Sequence, residues 1–478
     1  MNDLGTLNRR NFFNWGIRGI GATAFASLLA RDTTAQVSSL GQTAFPNFAP
    51  RAKRAIHISL VGGMSHIDSY DHKPGLDKAH GKPLGSNEKP DIFFGKVGLL
   101  RKSDFQFKPR GQSGLWLSDM FPNIAEMADQ MTVIRSMTTD SANHTPALFF
   151  ANSGFEFNGF PSVGSWASYG LGSDTESLPA FVVLSDGRGG PNGGASNWSS
   201  GFLPSQHQGV ELRSGNTPVR DLFPAIEQPK GSDAAARTFL QKLNARHAAR
   251  RGADAMLSSR IRSYELAARM QLSVPEVSDI NGEPEYIRRQ YGMGESRTED
   301  AGRRCLLARR LLERGVRFVQ IYSGGPIGGS PRASWDAHEN VQDNHSTEAG
   351  RIDKPIAGLL RDLKQRGMLD DTLVLFTTEF GRTPFAQSNA NQVGPGRDHN
   401  KYGFSCWIAG GGVKSGYSYG QTDEIGWKTV ENPVHWHDFH ATVLHLMGID
   451  HKKLTFYHNG IERRLTNVHG HVVSDIFA

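Results

Sequence analysis

The chain has 478 residues, 38% hydrophobic content and a formal net charge of +6. This length and composition are typical of a globular protein with a sizeable core, arranged as one large or two ordinary domains. The positive charge is small and scattered along the chain, which excludes the basic footprint of a nucleic-acid-binding protein.

The first 35 residues have the pattern of a twin-arginine export signal. Adjacent arginines in "RRNFF" (9–13) precede a mildly apolar run rich in glycine and alanine, which is too short for a comfortable membrane span. We expect the twin-arginine translocase to export the chain to the periplasm or cell envelope of a bacterium. The mature domain would then be 36–478, without a stable membrane span. An ordinary amphipathic N-terminal helix is the alternative.

Short apolar runs rich in β-branched residues predict the strands of a buried sheet. The clearest runs are 55–61, 131–137, 181–184, 317–323, 372–378 and 404–410. Helical patterns, with apolar residues at spacings of three and four, precede several of them and are clearest at 301–315 and 352–371. Strands that alternate with helices predict an α/β fold with a doubly wound, mainly parallel sheet.

Residues 185–292 are predicted to be an insertion in this fold. Up to about 232 the chain is rich in glycine, serine, asparagine and proline, which indicates a long surface loop, and charged helical patterns follow. We therefore expect a helical insertion packed on the sheet. Near the C-terminus, "KLTFYHNGIERRLT" (453–466) has Asn-Gly between two alternating runs and predicts a small hairpin.

The only two cysteines are Cys305, in a helical pattern, and Cys406, in a strand pattern. An exported protein can form disulfides. Buried cysteine nevertheless commonly behaves as a small hydrophobic residue. We therefore predict two buried free thiols.

Polar or glycine-rich residues follow each clear strand at once. In a doubly wound sheet, the loops at the carboxyl ends of the strands form the ligand crevice. Side chains that are distant in sequence could therefore meet there, namely Ser65, His66, Asp68, His144, Asp336, His338 and Glu379. Carboxylates and imidazoles without thiolates suit a divalent metal. Taken singly, each histidine fits a hydrogen-bonded structural role better than a ligand role, and it is their coincidence at several strand ends that makes Asp336 and His338 candidate ligands.

The stretch "SWDAHENVQDNH" (334–345) places four potential ligands close together. We predict that Asp336 and His338 are metal ligands on one loop. Asp343 and His345 fit the start of the following helix, because helix-capping residues and a helical pattern occur there. His345 as a further ligand stays open.

Several longer motifs resemble the exported family called Domain of Unknown Function 1501. They include "GGMSHIDSYDHKPGL", "MLDDTLVLFTTEFGRTP", "GRDHN" and "HDFHATVLHLMGIDHKKLTF", and the resemblance covers about 36–478. That family is similar in turn to sulfatases of the alkaline phosphatase superfamily. The resemblance implies an α/β fold of the alkaline phosphatase/sulfatase type with a metal-centred site, but it supplies no known reaction.

The likeness to sulfatases implies roles for individual residues. Glu379 stands at a strand end where sulfatases carry a metal-binding acid. His399 stands where they bring a histidine to the sulfate, with Asp398 beside it as a candidate ligand. In "HTPALFFANSG" (144–154), His144 occupies the position of the sulfatase nucleophile, so the formylglycine mechanism is excluded.

The first strand departs from the sulfatase pattern, because it runs into Gly62 and Gly63 where sulfatases carry an acidic metal ligand. The resemblance therefore leaves one ligand position without a matching residue. His66 or Asp68, from the loop that follows, could take that place.

Two functions of different classes follow from these patterns. The first is an exported metal-dependent hydrolase of phosphate or sulfate esters, with sulfated or phosphorylated glycans among the candidate substrates. Zinc, calcium or manganese would bind the candidate ligands Asp336, His338, Glu379, Asp68, His66 and Asp398. A bound water or His144 would attack, while His399 and Arg382 or Arg397 would contact the anionic ester. The second is a catalytically inactive sulfatase-like binding or structural protein of the cell envelope.

Overall fold

The computed structural model describes residues 45–85, 90–213, 218, 232–251, 255–328 and 332–478. The predicted export signal at 1–35 lies outside these ranges and stays a prediction. Among the helices inside them, none is both long enough and apolar enough to cross a membrane.

Strands and helices alternate along most of the described chain. The strands are β1 (Arg54–Leu60), β2 (Phe107–Arg110), β3 (Leu115–Ser118), β4 (Met131–Thr138), β5 (Phe181–Leu184), β6 (Val210–Glu211), β7 (Phe318–Ser323), β8 (Thr372–Thr378), β9 (Gly381–Ala386), β10 (Arg397–Asn400), β11 (Phe404–Ala409), β12 (Tyr417–Tyr419), β13 (Gln421–Thr422), β14 (Thr429–Glu431), β15 (Val434–His435), β16 (Phe456–His458) and β17 (Ile461–Arg463). The α-helices are α1 (Pro74–Ala79), α2 (Pro122–Ala125), α3 (His144–Ser153), α4 (Val163–Leu171), α5 (Ser232–Arg251), α6 (Ala255–Ser278), α7 (Glu285–Gln290), α8 (Glu299–Glu313), α9 (Val341–Gln365) and α10 (Trp436–Leu446).

The central sheet has the spatial strand order β12, β4, β11, β8, β1, β7, β5, β6, and β15 also pairs with β4. Its strands run parallel except β11, which is antiparallel to both β4 and β8. The predicted doubly wound, mainly parallel sheet is therefore confirmed, as are all six predicted strands. The strands read as continuous apolar runs because helices cover both faces of a parallel sheet.

The side chains of β1, together with Val61 directly after it, show how the two faces of the sheet are buried. Ile56, Ile58 and Leu60 belong to an apolar cluster that also contains residues of α8 and α9. Ala55 and Val61 belong to a second cluster, with residues of α4 and α10. Alternate residues of a strand point to opposite faces, so one short segment contributes to both cores.

The other predicted elements are present where the structure describes them. Helices α5 and α6 lie in the predicted helical insertion. The C-terminal hairpin is formed by β16 and β17. Asn459 and Gly460 at its turn have φ values of 50° and 86°, as a two-residue hairpin turn of this hand requires.

Helix α9 begins directly after the loop that carries Asp336 and His338. The Asn340 side chain caps the helix by accepting a hydrogen bond from the Asp343 backbone N–H at 3.2 Å. His345 lies one turn further along. The prediction that this part of the stretch starts a helix is confirmed.

Both cysteines are free and buried, as predicted. Burial raises the pKa of the Cys305 and Cys406 thiols to about 12. Both thiols therefore stay protonated at neutral pH and behave as core residues.

Candidate metal centre

Three histidines and one aspartate meet at the carboxyl edge of the parallel strands. They are His144, Asp336, His338 and His399, and one potential ligand atom from each lies within 4.8 Å of the others. His144 begins α3 after β4, the next two lie between β7 and α9, and His399 lies on β10. All four are largely buried, with between 2% and 9% of their surface exposed.

The Oδ1 atom of Asp336 lies where the three imidazoles converge. It is 2.8 Å from Nε2 of His338, 3.2 Å from Nε2 of His144 and 3.4 Å from Nε2 of His399. The Nε2 atoms of His338 and His399 are 2.9 Å apart. Tetrahedral ligands at about 2.0–2.1 Å from zinc lie about 3.3 Å from one another. The spacing therefore fits the ligands of one ion.

Each imidazole is fixed through its other ring nitrogen. Nδ1 of His144 faces Oε1 of Glu379 at 2.8 Å, and Nδ1 of His399 faces the Ala142 carbonyl oxygen at 2.6 Å. Nδ1 of His338 faces the side-chain oxygen of Gln387. These acceptors favour a proton on Nδ1, so that Nε2 presents its lone pair to the centre. Metal-binding histidines have this type of partner.

The ionisation of the cluster follows from its charges. Burial raises the pKa of Asp336, but its close contacts with the three histidines and with Arg382 outweigh burial and hold that pKa well below its usual range. Burial lowers the pKa of His399 well below its usual value. Burial also opposes protonation of His144, but contacts with Asp336 and Glu379 raise its pKa overall. The centre thus combines the Asp336 carboxylate with a neutral His399 imidazole and with a His144 imidazole that gains a proton more readily than usual.

Two features of the donor atoms fit a bound cation. Nε2 of His144 is buried, and although it lies 3.2 Å from Oδ1 of Asp336, the two groups are not oriented for a good hydrogen bond. The Nε2 atoms of His338 and His399 also face each other, so two lone pairs would repel when both rings carry their proton on Nδ1. Three nitrogens and one carboxylate suit zinc or a similar transition metal, whereas calcium takes six to eight oxygens.

Glu379 lies behind His144 and is not one of the four converging residues. Its Oε1 accepts hydrogen bonds from His144 and, at 2.8 Å, from the Gly62 backbone N–H. Gly62 has a φ of 122°, and a Cβ there would lie 2.5 Å from the backbone nitrogen of Asp336. The glycine at the end of the first strand therefore lets the loop that carries Asp336 approach the site.

The two predicted catalytic arginines are fully buried and already bonded. Arg382 contacts Asp336 Oδ1 at 2.8 Å and donates to the carbonyl oxygens of Gly62, Gly63 and Arg397. Arg397 pairs with Asp68, at 2.9 Å from Nε to Oδ2, and donates to three backbone carbonyls. Arg382 thus holds Asp336 in place, and Arg397 lies away from the four-residue centre.

The remaining candidate ligands bond elsewhere. His66 contacts the Gly426 carbonyl oxygen through Nε2 at 2.7 Å. Asp398 accepts the backbone N–H groups of His399 and Phe94 at 2.7 and 2.8 Å. His345 accepts the Ser65 backbone N–H through Nε2 at 2.9 Å. With Asp68 in its ion pair, these side chains support the loops around the centre.

Four residues near the centre were not found from the sequence. Arg332 bonds to the second oxygen of Asp336, and Gln387 holds His338. Phe93 and Phe94 pack against imidazoles of the centre. Arg332 stands four residues before Asp336 in the sequence, and this spacing is a weak indication that the two side chains could pair. Nothing in the sequence indicates that Gln387, Phe93 or Phe94 lies near the centre.

The fold and the site define a doubly wound α/β protein with a buried centre of three histidines and one aspartate. A family model described as "Protein of unknown function (DUF1501)" matches residues 52–477, so the chain belongs to this family. The family predicted from the motifs is thereby confirmed. No curated protein matches the chain.

Solved structures that the chain resembles include three hydrolases. A phosphonate monoester hydrolase from Silicibacter pomeroyi is 13% identical, with 69% of this chain and 68% of that chain covered and a TM-score of 0.32. A sulfatase from a Pseudoalteromonas species is 12% identical, with coverages of 88% and 72% and a TM-score of 0.33. The TAB5 alkaline phosphatase, in a variant form with Mg bound, is 11% identical, with coverages of 84% and 99% and a TM-score of 0.35. Similarities this low assign no activity or site residue to the chain.

Replacing Glu379 with glutamine should weaken zinc binding by about 10–100-fold, because the amide is a poorer acceptor for the Nδ1–H of His144. Competition with a chromogenic zinc chelator measures the change. Glu431→Gln, at an exposed position on β14, is the matched control and should keep wild-type affinity. Equal zinc affinity in the two variants would show that the Glu379 carboxylate does not assist metal binding by His144.

Proposed function

We propose that this protein is an exported metal-dependent hydrolase of phosphate or sulfate esters. One zinc-like ion would be held by His144, Asp336, His338 and His399. The observation that carries the proposal is the convergence of three Nε2 atoms on one carboxylate oxygen, with each imidazole fixed from behind. The donor set excludes none of the divalent transition metals, and its nitrogen content favours zinc.

Bound by these residues, a zinc-like ion would lower the pKa of a coordinated water molecule to about 7 and would polarise an ester oxygen. The residues around it supply orientation and charge. Glu379 keeps the Nδ1 proton on His144, which leaves Nε2 to bind the ion rather than attack the ester. Arg382 holds Asp336. With Nε2 of His144 directed at the proposed ion, the attacking group would be a water molecule, and no side chain of the centre would have to act as nucleophile.

Arg332 is the arginine best suited to contact the anionic ester. Its side chain is 22% exposed and bonds to Asp336 and Glu339, whereas the side chains of Arg382 and Arg397 have no exposed surface. A guanidinium can donate two parallel hydrogen bonds to phosphate or sulfate oxygens. The sequence suggested that Arg382 or Arg397 neutralises the negative charge of the ester. We assign this role to Arg332 instead.

The proposed substrate is an anionic ester, and a sulfated or phosphorylated glycan is a proposal within that class. Export rests on the arginine pair and apolar run of the N-terminal sequence. One observation favours the alternative of an inactive binding or structural protein. All four ligands come from the protein and are at most 9% exposed, which resembles a closed structural zinc site.

The test is turnover of aryl phosphates and aryl sulfates by protein loaded with zinc or manganese. We expect hydrolysis that stops on chelation and returns with metal. At a zinc concentration that keeps the variant fully loaded despite the loss of a partner of Asp336, Arg332→Ala should lower kcat by about 10–100-fold, the value of a charge-assisted hydrogen bond. Stoichiometric metal with no turnover of either ester class would instead favour the structural alternative.

A further inference from the structure

We propose that Phe93 and Phe94 form a stacking platform that selects esters whose alcohol part contains a ring with a flat apolar face. Aryl groups and pyranose rings share this feature. The inference rests on the proposed function, since it concerns the organic part of the same substrate. It identifies two specificity-determining residues on the loop before β2.

The two rings lie directly against the metal centre. The Phe93 ring centroid is 4.9 Å from that of His399, and the Phe94 centroid is 4.7 Å from that of His338. The two phenylalanines meet nearly edge to face, with centroids 5.0 Å apart and an interplanar angle of 80°. Two ligand imidazoles are therefore bordered by a continuous aromatic surface.

This surface is open to solvent although it adjoins buried groups. Phe93 is 48% exposed and Phe94 is 51% exposed, while His338 and His399 are 9% and 2% exposed. Exposed phenylalanine forgoes the free energy that burial would give. Rings that only sealed the centre could be covered more completely, so the exposed faces suit a ligand that covers them on binding.

The loop that carries the rings is anchored on both sides. The Phe94 backbone N–H donates to Oδ2 of Asp398 at 2.8 Å. Asp91 accepts a hydrogen bond from the Tyr402 hydroxyl at 2.9 Å and pairs with Lys401 at 3.1 Å. Anchoring lowers the ordering cost when a ligand binds. It also places polar groups beside the aromatic surface, as a ring with hydroxyl substituents would need.

Binding of phosphonates to zinc-loaded protein tests the platform without turnover, because their carbon–phosphorus bond replaces the ester bond. Calorimetry would compare phenylphosphonate and a pyranose joined through carbon to a methylphosphonate group with methylphosphonate and with tert-butylphosphonate, which is apolar but has no ring. At least one flat-faced ligand should bind about tenfold more tightly than methylphosphonate. Whichever of the two flat-faced ligands shows the larger gain in affinity over methylphosphonate indicates whether the substrate carries an aryl or a pyranosyl group.

Phe93→Leu and Phe94→Leu keep an apolar side chain but remove the flat face. Each should lose most of the ring preference while zinc content stays at the wild-type level. Phe157→Leu, at another exposed phenylalanine, is the control and should keep the preference. A wild-type protein without the preference, leucine variants that retain it, or leucine variants that lose zinc would each overturn the platform. Ring-selective binding without turnover of any ester would contradict the hydrolase but leave the platform standing.

Discussion

Asp336→Asn is expected to abolish zinc binding at the proposed metal centre. Wild-type protein dialysed against buffered zinc should hold close to one ion per chain, whereas the variant should bind zinc more than about 100-fold more weakly, because loss of an outer partner alone costs about 10–100-fold. Oδ1 of Asp336 is the carboxylate oxygen on which all three Nε2 atoms converge. Mass spectrometry of metal content, with circular dichroism to verify folding, measures the effect.

Asp343→Asn is the matched control, since it makes the same chemical change further along the same stretch. Asp343 is exposed and lies in the first turn of α9. Its charge interacts favourably with the helix N-terminus by about 0.3–1 kcal/mol, so only a small loss of stability is expected. Zinc content should equal that of the wild type. If Asp336→Asn also retained full zinc, any bound ion would lie elsewhere, and the hydrolase proposal would lose its site.

The central sheet could be predicted from sequence because its strands are buried on both faces. Continuous apolar runs such as "TLVLFTT" in β8 and "FVVL" in β5 are best explained as buried strands when helical patterns flank them. The β9–β10 hairpin could not be predicted in the same way. Its strands include Gly381, Pro384 and several charged residues, and they form only in the tertiary setting of the site.

The location of the site could also be predicted, because strand topology brings the carboxyl ends together. The sequence could not show which of the polar residues at this edge of the sheet would be the candidate metal ligands. Asp68 and Asp336 are both buried aspartates on loops after central strands, yet one faces Arg397 and the other faces three imidazoles. Residue type is the same in both cases, so only side-chain distances separate a candidate ligand from a structural ion pair.

Asp68→Asn is expected to destabilise the fold by about 3–5 kcal/mol, because it leaves the Arg397 guanidinium buried without its counter-charge. Neither side chain has exposed surface, and Ser65 also donates its hydroxyl to Asp68. Urea denaturation measures the loss in free energy of unfolding. Asp91→Asn, which removes an exposed partner of Lys401, should cost at most about 1 kcal/mol. Equal losses in the two variants would mean that burial of the Asp68 pair adds nothing to its effect.

The acid dependence of stability provides a second measure of the same ion pair. Burial raises the pKa of Asp68, but Arg397 and the Ser65 hydrogen bond outweigh it and lower the pKa from 3.8 to about 2. A lowered pKa in the folded state stabilises the fold above the unfolded-state value, and this stabilisation, about 2 kcal/mol, declines as pH falls from about 4 through 2. Asp68→Asn should lack this component, so the difference in stability between wild type and variant should shrink by about 2 kcal/mol as the pH falls through this range. A constant difference between them across that range would show that the ionisation of Asp68 is not what stabilises Arg397.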